Sequence, residues 1–459
     1  MNPTINGAAK KIIQQSSAAF CLLLVYSSTV LALPSITSAP LTAKNGSSVK
    51  IAGSAFGAKA TAAPLRFDTF STATPGQTMS QATNWWSDGN YPLYVTNQNP
   101  RYSGNQTARA EANGPSYGNA APDPVSRTTI AFRNNVGFAK TKKVYLNYWY
   151  YFDANEKGCP VGFADAAGTP YWQIKSVRLL TESPLDGNFT ADNYPSINYA
   201  VQNFQCGTVN NSQPNNYWDR RLYLGGGTNL YFNPAPMGQT GWYNLAIQIK
   251  MDSTVGAGDG AITAYMSAAN LGAQYKVSSV SPVTVIDATN KNGKAYYDGI
   301  NIDNYIGNVP PPPTFDATKV DGYPQDYTVN YGSTWYKAIQ GSAKPVVPTD
   351  TAYWTKAPYG YEINTHLQYG DIYVDNSWAR VEIGDASTYS ACTHREIQVP
   401  ITWGTDGIEF KVNQGSFPDL ATAYIYVVDE NGYVSNGKAI QFEKSGAVTP
   451  PKNLIQIKP

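Results

Sequence analysis

Charged side chains are scarce in this 459-residue sequence, at 14% of the chain, where an ordinary soluble protein carries about 25%. The few present are balanced, 33 Lys+Arg against 32 Asp+Glu for a net charge of +1. No cationic excess exists to neutralise a phosphate backbone, so nucleic acid is not an expected partner. Cysteine and histidine are rarer still, with 4 Cys and 2 His. Without a C-x-x-C pair, and with only His366 and His394, a structural zinc site lacks its ligand set. Helical periodicity is almost missing. Beyond the N-terminus no apolar run approaches the roughly 20 residues that a membrane-spanning helix needs.

What is plentiful points to exported β structure. Gly 39, Pro 31 and Tyr 34 supply turn formers and strand formers in quantity. At about 150 residues per domain the length predicts roughly three domains. Lys10 and Lys11 precede an apolar stretch from Ala18 to Ala32, which ends Val30-Leu31-Ala32 before Leu33-Pro34. That order reads as a signal peptide over residues 1–32, cleaved after Ala32, leaving a secreted chain with no membrane attachment. Cys21 leaves with it. Of the remaining Cys159, Cys206 and Cys392, a Cys159–Cys206 disulfide is the preferred pairing, with Cys392 a free or buried thiol.

Period-2 alternation marks the strands. From Val144 to Phe152, Val144, Leu146, Tyr148, Tyr150 and Phe152 share one face, and Tyr145, Asn147, Trp149 and Tyr151 the other. Tyr171–Arg178 and Trp242–Lys250 repeat the theme, and Asp259-Gly260 opens a further strand. If these three runs are neighbours with faces aligned, Asn147, Trp149, Tyr151, Gln173, Lys175, Asn244, Gln248 and Lys250 form one polar-aromatic stripe. Such a stripe is a glycan-binding surface or a convex, solvated face. Register decides between them, because a one-residue slip exchanges the faces.

A Tyr-rich strand, a Trp172-Gln-Ile-Lys175 strand, and Gly241-Trp242 with an Ile247-Gln-Ile-Lys250 strand before Asp259-Gly260 resemble the concanavalin-like jelly rolls of secreted polysaccharide lyases, glucanases and laminin-G-type modules. The resemblance implies a jelly roll over 65–308 and 361–376. Ile300-Asn-Ile-Asp-Asn304 and Ile372-Tyr-Val-Asp-Asn376 share one pattern and read as closing strands of one sheet, with an insertion between them. The insertion opens with Pro310–Pro313, part of a stiff linker over 309–318.

Tyr323-Pro-Gln-Asp-Tyr327, Val329 to Ala338 and Pro348 to Trp354 then resemble the small chitin-binding modules of the 5/12 class of carbohydrate-binding modules, over 319–358. Asp326-Tyr327-Thr328 stands where that class usually has Gly-Asp before the Val. Pro34–Ser38 and Asn45–Gly57 resemble the first strands of a TIG-type Ig-like domain. Ala379–Asp385, Trp403–Val412 and Thr422–Ser435 resemble its later strands. The expected fold is therefore all-β: a concanavalin-like β-sandwich inserted in a discontinuous Ig-like sandwich (33–64 and 377–445), with a small β carbohydrate-binding module inside it and a tail over 446–459.

Sugar rings stack on exposed aromatics flanked by amides and charges. Trp335, Tyr336 and Trp354 are the module's candidates, with Trp335 and Trp354 the favoured platforms; the same rings could instead build its core. For the jelly roll the candidates are the stripe residues above. No E-x-D-x-E signature supplies the paired carboxylates of a hydrolase. A lyase would need a base and a group that neutralises a uronate carboxyl, for which Tyr151 or Tyr145 with Gln173, Lys175, Arg178 and His366 are candidates. A structural Ca2+ near Asp303 and Asp375, with Asp298 and Asp371 close in sequence, is the one cofactor considered; such Asp residues more often cap turns. The sequence thus favours a secreted polysaccharide-binding protein, with a polysaccharide lyase or hydrolase and a structural or adhesive surface protein as alternatives.

Overall fold

The computed structural model describes residues 32–82, 85–87, 93–111, 129–133, 139–152, 172–180, 197–204, 219–224, 229–231, 241–268, 275–285, 295–307, 314–325, 327–332, 334–356 and 366–444. Residues 1–31 of the segment expected to be a signal peptide, Cys159, Cys206 and the tail lie outside them. Among the described residues the fold is β throughout apart from short helical turns at Met79–Ala82 and Tyr389–Ala391. No helix there is long and apolar enough to cross a membrane.

The larger sandwich has two sheets. One runs Lys276–Val283, Gly260–Ala268, Gly241–Lys250, Lys143–Phe152, His366–Asp375, Thr107–Glu111, Leu93–Thr96, with Arg66–Asp68 also pairing on His366–Asp375. The other runs Asn229–Tyr231, Asp219–Leu224, Ile197–Phe204, Trp172–Leu180, Gly299–Gly307, Thr129–Arg133, Trp86–Ser87. Alternation dictates the interior: Val144, Leu146, Tyr148 and Tyr150 are buried opposite Ile249, Ile247, Leu245 and Tyr243 of the neighbouring strand. Leu179 and Ile300 of the second sheet are fully buried.

Two sequence expectations change here. The I-x-[IV]-D-N segments do not close one sheet, because Gly299–Gly307 lies in the seven-stranded sheet and His366–Asp375 in the eight-stranded one. Nor are the three stripe strands neighbours. Lys143–Phe152 pairs with Gly241–Lys250, while Trp172–Leu180 pairs with Ile197–Phe204 and Gly299–Gly307 in the other sheet. Shared sequence patterns report how a strand is half-buried, not which sheet takes it.

A smaller sandwich uses both ends of the described chain. Its four-stranded sheet runs Ser35–Ser38, Ser48–Ser54, Gly407–Lys411, Val399–Trp403; its five-stranded sheet runs Thr42–Ala43, Lys438–Phe442, Thr422–Val428, Arg380–Gly384, Arg395–Ile397. Val49 and Ile51 point inward between exposed Ser48 and Lys50, and join Ile408, Phe410, Ile425, Val427, Ile440 and Phe442 in one core. The chain leaves this sandwich through 55–65 and returns through 376–379. Between the strands Gly299–Gly307 and His366–Asp375 stands a three-stranded sheet, Thr328–Tyr331, Thr334–Ala338, Trp354–Lys356. Its core is Tyr323, Val329, Ala338 and Trp354.

Candidate functional site

Most of the aromatic-polar stripe is an internal seam between the two sandwiches. Tyr145, Asn147 and Trp149 are 0%, 5% and 1% exposed, and Gln248 and Asn244 are 4% and 1%. The smaller sandwich covers them. The Tyr145 hydroxyl donates to Glu382 Oε1 at 3.2 Å, and the Arg380 guanidinium lies 4.1 Å from the Tyr145 ring centre. Trp149 meets His394 edge-on, with ring centres 5.7 Å apart. Trp378 Nε1 donates to the Ile249 carbonyl at 3.2 Å. Asn147, Trp149 and Gln248 are therefore buried rather than open to a sugar: Trp149 packs on the smaller sandwich, Asn147 hydrogen-bonds Tyr145 and Asn244 of its own sheet, and Gln248 Oε1 has no hydrogen-bond partner among the described residues. Lys250, at the far end of its strand, stays exposed.

An ionic cluster closes the seam. Arg101 reaches both Asp371 and Glu396, with its Nη2 3.0 Å from Glu396 Oε2. Glu396 also meets His394 Nε2 at 2.6 Å and accepts the Ser416 backbone N–H at 3.0 Å. Burial pushes the Glu396 carboxyl up, but the Arg101 charge and then the contact with His394 outweigh it and hold it at about 2. Asp371 is raised by burial, against the pull of Arg101. Asp371 sits at a bulge between Gly370 and Tyr373 with φ +48°, a left-handed backbone that its bonds to Arg101 and Tyr102 fix in place.

The bulge changes the parity of the strand. Before it, Gln368 and Gly370 share the outer face with Tyr151 and Trp149; after it, Tyr373 and Asp375 share that face with Asn147 and Tyr145. Beyond the seam the same face continues as one row across five strands. Tyr94 pairs with Arg109, Arg109 with Gln368, Gln368 with Tyr151, and Tyr151 with Trp242. Tyr94, Arg109, Tyr151 and Trp242 are half-buried, and the Tyr151 and Trp242 rings lie 5.5 Å apart at 60°. Gln368 is fully buried; its Oε1 accepts from Thr107 Oγ1 at 3.0 Å, while its Nε2 has no hydrogen-bond partner among the described residues. Arg109 donates through Nη1 to Gln98 Oε1, and among the described residues its Nε has no partner. His366 takes the register position opposite Glu111, two residues from Gln368.

The lyase candidates are thus split. Tyr151 belongs to this row and the His366 position lies two residues along the strand from Gln368, whereas Lys175 and Arg178 stand in the other sheet, paired with Tyr305 and Asn301. The side chains of Gln173, Lys175, Arg178, His366 and Asp303 lie outside the described set. Arg109 and Gln368 carry no motif, although polar His366 and Gln368 alternate with Leu367 and Tyr369 and so advertise a two-faced strand. Asp375 hydrogen-bonds Lys59 and Tyr373. No group of three or more His, Cys, Asp or Glu suited to a metal occurs among the described residues. Cys392 is free and buried.

In the small module, Trp354 is 2% exposed, donates its Nε1 to the Val346 carbonyl at 2.8 Å, and packs edge-on against Tyr323 and Phe315. It is the core of the module and not a platform. Tyr336 shares that inner face, half-buried against the same cluster. Trp335 takes the opposite face, across from Asn330 and two residues from Lys337, and is half-buried.

No protein-family model matches the chain, and no curated protein matches it. Among solved structures, the PL-14 alginate lyase of the marine animal Aplysia kurodai aligns at 11% identity with a TM-score of 0.36, covering 66% of this chain and 96% of that one. A fungal alcohol oxidase of the AA5 family aligns at 9% identity with a TM-score of 0.15, covering 89% of this chain and 75% of that one. Both likenesses are too weak to carry a function to this chain.

Proposed function

We propose that this chain is an exported polysaccharide-binding protein that takes acidic sugar units on the half-buried side chains of Tyr94, Arg109, Tyr151 and Trp242. One observation carries the reading: half-buried Arg109, whose Nε has no hydrogen-bond partner among the described residues, stands beside the fully buried Gln368 in a row that ends in the half-buried Tyr151 and Trp242 rings. Unmade hydrogen bonds in such a place are costly unless a ligand completes them. A sugar carboxylate supplies the acceptors, and its ring supplies the C–H face that Tyr151 and Trp242 can stack on. The Trp335 face of the module is a second aromatic surface, suited to a neutral β-linked chain such as chitin. The apolar stretch Ala18–Ala32 behind Lys10 and Lys11 supports export.

Binding of the whole chain to polyuronates and to neutral glucans and chitin tests this reading. Arg109→Ala removes a hydrogen bond to a charged group, worth about 1.5–3 kcal/mol, and weakens polyuronate binding about ten- to a hundredfold. Equal affinity for neutral and acidic chains, unchanged by this substitution, rejects it.

A second reading, a polysaccharide lyase, is favoured by the company the donors keep. Tyr151 lies directly opposite Gln368, and His366 occupies the next position of the same alternation. A group that neutralises the carboxyl and a phenol or imidazole that moves the adjacent proton are the parts a β-elimination needs. Ultraviolet absorbance of unsaturated products, followed with wild type and Tyr151→Phe on a polyuronate panel, decides between binding alone and cleavage.

A further inference from the structure

Each chain crossing between the sandwiches brings one half of a buried ion pair to the seam. Lys59, in the outward crossing, donates from Nζ to Asp375 Oδ2 at 2.7 Å and to the Ala62 carbonyl at 2.9 Å. Asp375, just before the return crossing, also accepts the Tyr373 hydroxyl on Oδ2 at 2.9 Å. Both charged side chains are 1% exposed, and Asp375 Oδ1 is buried with no hydrogen-bond partner among the described residues.

This is a poor setting for two charges. A buried pair offsets its desolvation only when the remaining lone pairs and protons are also satisfied, and here one carboxylate oxygen has no well-formed hydrogen bond from the described residues. It is a better setting for a neutral amine beside a neutral acid. Burial lowers the Lys59 ammonium from its ordinary value and raises the Asp375 carboxyl from its own, in each case against the attraction of the partner. Tyr373 is held protonated, first by burial and then by the neighbouring Asp375, and so remains a donor.

We infer that Lys59 and Asp375 condense to an intramolecular isopeptide bond that ties the two crossings together. One proton passes along the 2.7 Å hydrogen bond from Nζ to Oδ2, giving amine and carboxylic acid. The amine needs only to swing from that oxygen to the carbon behind it, a contact pre-arranged by the fold. Its lone pair forms the Nζ–Cγ bond, the Cγ–Oδ2 bond breaks, and Oδ2 departs as water with a second proton from Nζ. Ammonium and carboxylate enter; amide and water leave, with charge and atoms balanced and no oxidant required. Tyr373 steadies the departing oxygen throughout. The site excludes the water that the reverse hydrolysis would use.

The staple would close the chain from 59 to 375 into a covalent ring, so that the larger sandwich could not be pulled away from the smaller at their junction. It is independent of the glycan reading, since neither Lys59 nor Asp375 belongs to the row that reading uses.

Intact mass spectrometry of the denatured full chain tests it. The expected wild type is one water lighter than its sequence, and digestion releases a branched peptide joining Lys59 to Asp375. Lys59→Arg and Asp375→Ala restore the full mass, and Tyr373→Phe slows the loss of water. A wild-type chain that keeps its full mass, both when fresh and after long incubation in the folded state, overturns the inference. So does a one-water loss that maps to other residues. The wild-type result decides alone if a variant fails to fold.

Discussion

The Arg101 guanidinium carbon lies 4.3 Å from the centre of the Trp149 ring, and the other contacts of that indole include an edge-on meeting with His394, which itself stacks on Phe417 at 4.2 Å. A continuous column of rings and one cation thus runs from the face of the larger sandwich into the core of the smaller. The Trp149 ring contributes to cohesion, not recognition.

Trp149→Ala should therefore cost stability and leave glycan binding alone. Removing a fully buried indole costs about 3–5 kcal/mol, and the cation it shelters loses a cation–π contact as well. Denaturant unfolding followed beside glycan affinity checks this. A stable variant with weakened binding would return Trp149 to the list of sugar contacts.

Acid should loosen the same seam through Glu396. Its carboxyl is held at about 2 in the fold against an ordinary value of 4.5. For a depressed carboxyl the stabilisation is fully present above the unfolded value and disappears as pH falls through the folded one. The stability gap between wild type and Glu396→Gln should be wide at pH 7 and shrink as pH falls from about 4.5 to about 2. Asp371, raised by burial, pulls the other way, which is why the difference between the two chains is the quantity to follow. A gap that stays constant on acidification would refute the pairing.

Gly415 guards the other side of that carboxylate. Its φ of +55° favours glycine, and an added Cβ would overlap the Glu396 carboxyl group. Gly415→Ala should cost about 1–3 kcal/mol. Its cost should be smaller in a Glu396→Ala background, where the overlap is gone but the backbone strain remains; a double-mutant cycle measures that coupling.

How much of this was legible depended on the range of the interaction. Half-buried strands such as Lys143–Phe152 and Ser48–Ser54 announce themselves by alternation, and the faces of Tyr145 and Val144 were separable from sequence. What covers a face is decided by residues hundreds of positions away. Tyr145 meets Glu382, and Trp149 meets His394, and nothing local distinguishes an aromatic kept for a ligand from one kept for a second sandwich. The bulge at Asp371 hid the row as well, because strict alternation through Gly370 and Tyr373 puts one end of that strand on the wrong face. Lone residues such as Arg109 and Gln368 carry no motif, so only pairing across strands joins them.

The module separates the two roles of tryptophan within a few strands. Trp354 is enclosed by Tyr323 and Phe315 with its N–H satisfied by Val346, so Trp354→Ala should unfold the module, at a cost of about 3–5 kcal/mol. Trp335 lies half-buried on the outer face beside Asn330 and Lys337, so Trp335→Ala should cost the module clearly less than Trp354→Ala and leave it folded, because less of its ring is enclosed. If the outer face takes glycan, Trp335→Ala alone should abolish retention on chitin or cellulose, because stacking on one ring contributes most of the contact such a small sheet can offer. Retention that survives Trp335→Ala but fails with Arg109→Ala would move all glycan affinity to the larger sandwich and leave the module without a binding role.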